Sequence, residues 1–318
     1  MIRIVLTRIP QMLVVVLGCT FLTFALVNLL PGDIVYSILG EDYSEEAAAQ
    51  LRAQLHLDDP FFVRYVVWLG EAVTGDLGKS LLPPHVPVSD LVGRSLLPTL
   101  ELVVLGQIFG LALGVATAVI SVAARSRVVD RLISALALVS SSLPGFVIGL
   151  LLLGLLAAKL RLVSPLGWVS PFTAGWGENL SHILFPSLLV GLFTFPMFMR
   201  VLRAELVDQL DHEDYVVLAR LKGISTRRVI FGHVVRNSSF GVVTILGIDT
   251  ARLVGGAVVI EQIFSIPGMG SLIKDSVVRH DAPTVLACVS IVAMFVVVAN
   301  LLVDIAYAAL DPRVRDAA

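Results

Sequence analysis

Six long apolar stretches constrain this chain of 318 residues more than any other feature of its sequence. They cover residues 9–30, 98–123, 132–158, 183–202, 240–264 and 285–310. Because an α-helix rises ~1.5 Å per residue and the hydrocarbon core of a bilayer is ~30 Å thick, each stretch is long enough to cross a membrane. Hydrophobic residues make up 57% of the chain and charged residues 15%, which excludes an ordinary soluble domain. The sequence therefore predicts an all-α integral membrane protein with six transmembrane helices.

Basic residues are distributed unevenly between the segments that join these stretches. If the N-terminus lies in the cytoplasm, the cytoplasmic segments contain fourteen Lys and Arg residues, whereas the external segments, which are longer in total, contain eight. Cytoplasmic loops of membrane proteins carry an excess of Lys and Arg. The distribution predicts a multi-pass plasma-membrane protein in which both termini and the polar segment 200–236 are cytoplasmic.

The chain divides by composition into three predicted parts. Residues 1–30 form an N-terminal tail and the first transmembrane helix. Residues 31–97 are too polar to span a membrane and predict an extracytoplasmic subdomain with short helices, one of which begins at a Ser44 cap. Residues 98–318 form a five-helix core that includes a cytoplasmic loop at 203–236.

The cytoplasmic loop has the sequence pattern of two short helices joined by a bend. Asp211 and Asp214 are suited to a helix start, Gly223 to a helix end, and Ser225 to the cap of a following helix. One face of the first helix collects residues at helical spacing, namely Tyr215, Leu218, Ala219 and Lys222. This face predicts a docking surface for another protein.

The loop sequence DYVVLARLKG at 214–223 resembles the cytoplasmic EAA loop of permease subunits in ATP-driven importers. In the peptide and nickel class the loop typically reads D-Y-V-x-x-A-R-x-K-G, and every specified position matches. Further similarity to the B-type permease subunit of dipeptide, oligopeptide and nickel importers lies in LLPGD at 29–33, LDDPFFVRYVVWL at 57–69, GDLGKS at 75–80, LLPTLEL at 96–102 and GGAVVIEQIFSIPGMG at 255–270. The chain departs from the family at Ile34, where proline is frequent, and at His56, where glycine is usual.

This resemblance implies a permease subunit of an ATP-binding-cassette importer, which forms half of the translocation pathway for di- or oligopeptides delivered by an extracytoplasmic binding protein. A nickel chelate or another small solute is the alternative substrate. The resemblance also implies a second homologous permease subunit and two cytosolic ATPase subunits that bind ATP and magnesium, so this chain would bind no cofactor or metal and would not be an enzyme. The residues implied to couple it to the ATPase are Asp211, Glu213, Asp214, Tyr215, Leu218, Ala219, Arg220, Lys222 and Gly223.

The fifth apolar stretch contains Asp249 and Arg252 near its middle and Glu261 near its outer end. A charge at the bilayer centre costs ~2.5–3.5 kcal/mol on insertion scales, so these side chains are expected to face protein or water. Asp249 and Arg252 either line the translocation pathway, where they would meet a zwitterionic peptide, or form an ion pair with each other or with a partner subunit. Glu261 is either an outer gate or a structural cap. The family resemblance implies apolar or amide residues at the positions of Asp249 and Arg252, so it does not distinguish between the pathway and ion-pair interpretations.

Other functions fit the sequence less well. Gly78-Lys79-Ser80 matches the end of a nucleotide-binding P-loop, but Val73 stands where that motif requires glycine. Ala219 and Gly223 have the spacing of a DNA-binding helix-turn-helix, but a loop between membrane spans is not expected to bind nucleic acid. A stand-alone secondary transporter that uses the three intramembrane charges as an ion relay would usually show an internal repeat, and none is visible.

Glycines and prolines in the apolar stretches lead to two further expectations. Gly255 and Gly256 would let a neighbouring helix approach closely. Pro144, Pro186 and Pro196 predict kinks, because proline removes a backbone hydrogen bond from a helix.

Overall fold

A computed structural model of the chain describes residues 2–29, 35, 39, 43–54, 57–124, 126–155 and 166–310. Helices dominate these residues, and the described part contains no β-strand. In chain order the helices are α1 (Ile2–Leu29), α2 (Glu45–Gln54), α3 (Phe61–Thr74), α4 (Val88–Ala123), α5 (Arg127–Ser142), α6 (Gly145–Leu153), α7 (Pro171–Ala174), α8 (Trp176–His212), α9 (Asp214–Leu221), α10 (Thr226–Val229), a π-helical turn (Ile230–Val234), α11 (Val235–Phe264), α12 (Met269–Val278) and α13 (Ala282–Leu310). The predicted all-helical class is confirmed.

Five of the described helices are long and apolar enough to cross a membrane. They are Arg8–Leu29 within α1, α4, α8, Gly241–Phe264 within α11, and Ala282–Ile305 within α13. These five correspond to the first, second, fourth, fifth and sixth predicted spans. The number of six spans and the cytoplasmic position of both termini remain predictions.

The predicted third span, residues 132–158, is not one continuous helix. α5 ends at Ser142, Leu143 has extended backbone angles (φ −92°, ψ 138°), and α6 begins at Gly145. Pro144 explains the interruption, since proline disfavours helical angles at the residue before it and has no N–H to donate. The expected kink at Pro144 is therefore a break between two helices. α8, in contrast, runs without interruption through Pro186 and Pro196.

The described chain forms two compact units, and the first contains residues 2–7, 99–266 and 298–310. Its core is built around α8, whose buried side chains include Phe195, Phe198, Met199, Leu202 and Leu206. α4 packs against α8 through small residues. A Cβ atom added to Gly110 would lie 1.9 Å from Thr194 Oγ1, so the two helices meet at a distance that only glycine allows there.

The second unit contains Arg8–Pro98 and Pro267–Val297. α1 and α3 pack through an aromatic cluster of Phe21, Phe24, Phe61, Tyr65 and Trp68. The Ser44 Oγ atom accepts a hydrogen bond from the Ala47 N–H at 3.1 Å, which confirms the predicted cap of α2. The two units do not test the predicted division at residues 30 and 97. Of the LLPGD segment only Leu29 is described, and His56 lies outside the described residues.

In the same unit, buried Asp281 joins the start of α13 to the segment before α4. The hydroxyls of Ser80 and Thr284 each donate to Asp281 Oδ2 at 2.6 Å, and the Leu81 N–H donates to Oδ1 at 3.0 Å. The P-loop-like residues Gly78-Lys79-Ser80 therefore lie in a structural connection. The described segment before them is the helix α3, whereas a P-loop follows a strand.

Candidate functional site

The predicted coupling loop folds as helix, bend and helix. α9 covers Asp214–Leu221, and the bend that follows it lies at Gly223, which has a positive φ of +75°. The Gly223 N–H donates to Arg220 O at 3.0 Å and the Ile224 N–H donates to Ala219 O at 3.1 Å, so the last turn of α9 is closed by the bend. Ser225 immediately precedes α10, but its side chain makes no capping hydrogen bond.

One part of the predicted loop was wrong. Asp211 does not start a helix, because α8 continues to His212 and the break falls at Glu213, which has extended angles (φ −88°, ψ 125°). Asp214 is in the first turn of α9, as predicted, where a carboxylate interacts favourably with the helix dipole. The sequence contains no glycine or proline at 211–213 that would have located the break.

The predicted docking face of α9 is divided in the structure. Ala219 is buried within the chain, and half-buried Tyr215 donates its hydroxyl to Gln209 Oε1 at 2.6 Å. Leu218 and Lys222 are exposed, as a docking surface requires. The apolar outward face is completed by two residues that the sequence analysis missed, Val217 at 48% and Leu221 at 78% exposure. Val217 lies one residue before Leu218 and Leu221 three residues after it, and this spacing in the sequence could have identified both as part of the face.

The inward face of α9 joins the core of the first unit. Val216 and Ala219 are buried in the same cluster as Leu206 and Leu210 of α8 and Val234 before α11. This cluster also includes Val242 of α11, so α9 shares its buried surface with the helix that enters the loop and with the one that follows it. The loop thus shares one hydrophobic core with two membrane-capable helices.

A bidentate ion pair fixes the same end of α8. Arg203 donates from its guanidinium to Asp130 Oδ1 and Oδ2, each at 2.8 Å, and to Ser121 Oγ at 3.1 Å. The hydrogen bonds from Arg203 and Ser121 hold the pKa of Asp130 below its usual value. This connection links α4, α5 and α8, and sequence reasoning did not identify Asp130 as part of it.

The intramembrane charges Asp249 and Arg252 line a cavity of about 260 Å³ between α4, α6, α8 and α11. Asp249 is 1% exposed, and its Oδ2 atom has no hydrogen-bond partner among the described residues. Both residues are described, and they form no direct ion pair with each other. The interpretation as a mutual ion pair is therefore not supported.

Glu261 does not line this cavity. Its side chain is fully buried, and the Thr99 hydroxyl donates to Glu261 Oε1 at 2.6 Å, which connects α11 to α4. Gln107 of α4 makes a similar connection, since its amide donates to Leu246 O at 3.1 Å and to Thr250 Oγ1 at 3.0 Å. Sequence reasoning missed Gln107, although a polar residue within an apolar stretch is the signal for such a contact.

One face of α11 is uncovered along its length. Exposed residues recur along it at helical spacing, namely Thr244, Ile248, Arg252, Gly255, Val259 and Gln262, and Gly256 beside them is exposed as well. A Cβ atom added to Gly255 or Gly256 would meet no atom within 4 Å. Among the residues that the structure describes, none makes the close helix approach predicted at these two glycines.

Comparison with known proteins identifies the family. A model described as the binding-protein-dependent transport system inner membrane component matches residues 110–316, and one for the N-terminal region of such membrane components matches residues 1–89. A putative peptide permease protein of Brucella suis is 35% identical over 318 residues, and the dipeptide transport system permease protein of Escherichia coli K12 is 34% identical over 338 residues. The glutathione transport system permease protein of Salmonella typhimurium is 35% identical over 319 residues, and each alignment covers 99% of both chains. The chain thus belongs to the family of inner membrane components of binding-protein-dependent transport systems.

Proposed function

We propose that this chain is a permease subunit of an ATP-binding-cassette importer for peptides. The observation that carries the proposal is that relatives named for peptide, dipeptide and glutathione transport match 99% of the chain at 34–35% identity. Glutathione is itself a tripeptide, so these names favour a peptide over a nickel chelate. Family membership also argues against a stand-alone secondary transporter, because a binding-protein-dependent system receives its solute from a separate protein.

The uncovered face of α11 is the surface that we assign to a second permease subunit and to the pathway between the two. Its small residues Gly255 and Gly256 leave room for another helix, and Arg252 connects this face to the cavity at Asp249. A lipid-facing position is unfavourable for the Arg252 guanidinium. This arrangement supports a pathway shared by two subunits rather than one enclosed within this chain.

The outward face of α9 is the surface that we assign to a cytosolic ATPase subunit. Val217, Leu218 and Leu221 give it an apolar centre, while Asp214, Arg220 and Lys222 provide charges at its edge. Such a short amphipathic helix suits a groove on a partner. Motion of the ATPase would reach α8 and α11 through buried Val216 and Ala219. ATP and magnesium would bind to the ATPase subunits, and this chain would be neither an enzyme nor a cofactor-binding protein.

Peptide uptake by the reconstituted complex tests this function. The chain, its partner permease and the ATPase subunits are placed in proteoliposomes with the binding protein outside and ATP inside. We expect accumulation of a labelled dipeptide that requires the binding protein and ATP together. Accumulation of a nickel chelate in place of any di- or oligopeptide would replace the proposed substrate class.

A further inference from the structure

The cavity between α4, α6, α8 and α11 contains a buried carboxylate that the chain leaves unsatisfied. Asp249 is 1% exposed, and its Oδ2 atom accepts no hydrogen bond from the described residues. A buried polar group without a partner costs free energy, and a buried charge costs more. A carboxylate in this condition is suited to a donor that arrives from outside the chain.

The polar groups around Asp249 already use their own donors elsewhere. The Thr194 hydroxyl, which lines the cavity, donates to Gly191 O at 3.3 Å, and the Thr250 hydroxyl donates to Leu246 O at 2.7 Å. The side-chain amide of Gln107 on α4 donates to Leu246 O and Thr250 Oγ1. Arg252 lines the cavity as well but forms no ion pair with Asp249. The carboxylate is therefore available for a ligand.

The cavity fits one end of a solute better than a whole solute. Its volume of about 260 Å³ is smaller than the ~300–1,000 Å³ of typical small-molecule pockets. Leu102, Val190 and Phe193 supply an apolar lining that would accept a side chain. Of the described residues that line it, Asp249 is the only carboxylate.

We propose that Asp249 binds the cationic amino terminus of the peptide during translocation and thereby distinguishes peptides with a free amino group from blocked ones. The proposal rests on the proposed function of peptide import. An ammonium group needs a single carboxylate, whereas Ca²⁺ or Mg²⁺ requires several oxygen ligands, which this lining does not offer. The low dielectric of the apolar lining strengthens the attraction between the two charges. Arg252, on the same helix and at the cavity's exposed side, is placed to meet a carbonyl or carboxylate group further along the peptide.

The test compares dialanine with N-acetyl-dialanine in proteoliposomes that contain the complete importer. Each peptide is supplied at a concentration that saturates the binding protein, so that passage through the membrane subunits determines the rate. The variants are Asp249→Asn, which keeps the shape and removes the charge, and Asp304→Asn, which makes the same chemical change on α13 away from the cavity. The unfolding temperature of each purified complex is measured alongside.

We expect the wild-type importer to take up dialanine at least tenfold faster than the acetylated form. Asp249→Asn should abolish this preference by slowing dialanine uptake at least tenfold, while acetylated uptake stays within twofold. Because it removes a buried charge that has no ion pair within 4 Å, the variant should unfold at the same or a higher temperature than wild type. Asp304→Asn should keep the wild-type preference.

Three results would overturn the inference. The first is equal uptake of both peptides by the wild-type importer, and the second is an unchanged preference in Asp249→Asn. The third is that Asp249→Asn fails to assemble or unfolds at a markedly lower temperature, because either finding would give the carboxylate a structural role. A wild-type importer that takes up no di- or oligopeptide but carries a non-peptide solute would instead refute the proposed peptide substrate. The two failures are therefore distinguishable.

Discussion

At the scale of single residues, one ion pair holds the C-terminal part of α8 in place. Arg203 reaches Asp130 with two hydrogen bonds of 2.8 Å, and their side chains are 37% and 32% exposed. Bidentate geometry makes such a pair stronger than an ordinary surface contact, but partial exposure to water screens it. Its expected contribution is therefore about 1 kcal/mol, at the upper end of the range for exposed pairs.

The pH dependence of stability should reveal this contribution. The hydrogen bonds from Arg203 and Ser121 lower the pKa of folded Asp130, whereas an unfolded Asp has a pKa of ~3.9. The stabilisation is thus fully present above pH ~4 and is lost as the pH falls through the folded pKa. We expect Asp130→Asn to lower the unfolding temperature of the purified complex at pH 7, with a difference from wild type that shrinks below pH 4. Asp208→Asn is the control, because the only described partner of Asp208 is the exposed side chain of His212. A deficit of constant size at every pH would contradict this explanation.

At the scale of helices, the contact between α4 and α8 depends on glycines. Gly106, Gly110 and Gly114 lie four residues apart on α4, and added Cβ atoms there would come within 2.6 Å of Val190, Thr194 or Phe198. Gly191 is equally restricted, since its added Cβ would lie 2.9 Å from the Gly110 backbone nitrogen. Closely packed small residues supply the van der Waals contact that associates helices in lipid.

Gly110→Ala should therefore separate these two helices. The added methyl group would overlap Thr194 Oγ1, and the helices must move apart at a cost of ~1–3 kcal/mol. Gly93→Ala is the matched control on the same helix, because its added Cβ meets nothing within 4 Å. We expect less assembled importer and a lower unfolding temperature for Gly110→Ala, and wild-type or better values for Gly93→Ala. Equal stability of the two variants would show that the contact tolerates a Cβ.

The helices were easier to predict from the sequence than their contacts. The length of the apolar stretches alone located five membrane-capable helices. In lipid a segment must hydrogen-bond its own backbone polar groups, and few structures other than a helix do so. Gly106, Gly110 and Gly114 of α4 closely approach a neighbouring helix, whereas the sequence pattern predicted such an approach at Gly255 and Gly256. A single sequence does not tell which glycine faces a helix of the same chain.

Distances between side chains were equally inaccessible from the sequence. The i, i+3 spacing of Asp249 and Arg252 permits an ion pair, but the structure places them along a cavity without one. Periodicity on α9 likewise found a face with Leu218, but did not show that Ala219 points into the core. Both outcomes depend on the neighbouring helices, which a single sequence does not specify.

At the scale of the whole molecule, the proposed transport cycle requires that motion pass from a cytosolic surface to the membrane helices. α9 has the necessary two sides, an exposed apolar face at Val217, Leu218 and Leu221 and a buried side at Val216 and Ala219. The bend at Gly223 keeps α9 short and sets its direction relative to α10. A change confined to this bend should disturb coupling while the membrane helices remain folded.

Substitution of Gly223 gives a direct test, because an added Cβ there meets no atom within 4 Å and only the backbone is strained. At its φ of +75° a β-branched residue costs ~1–2 kcal/mol more than glycine, whereas asparagine tolerates this conformation. We expect Gly223→Val to insert in the membrane, but to bind the ATPase subunits weakly or to let them hydrolyse ATP with at least tenfold less peptide transported per ATP. Gly223→Asn, which adds a side chain of similar size, should stay near wild type in both measurements. The measurement is the amount of peptide transported per ATP hydrolysed in proteoliposomes. Wild-type coupling in Gly223→Val would show that this bend does not transmit the motion. An equal loss of coupling in both variants would show that side-chain bulk, rather than backbone conformation, causes the effect.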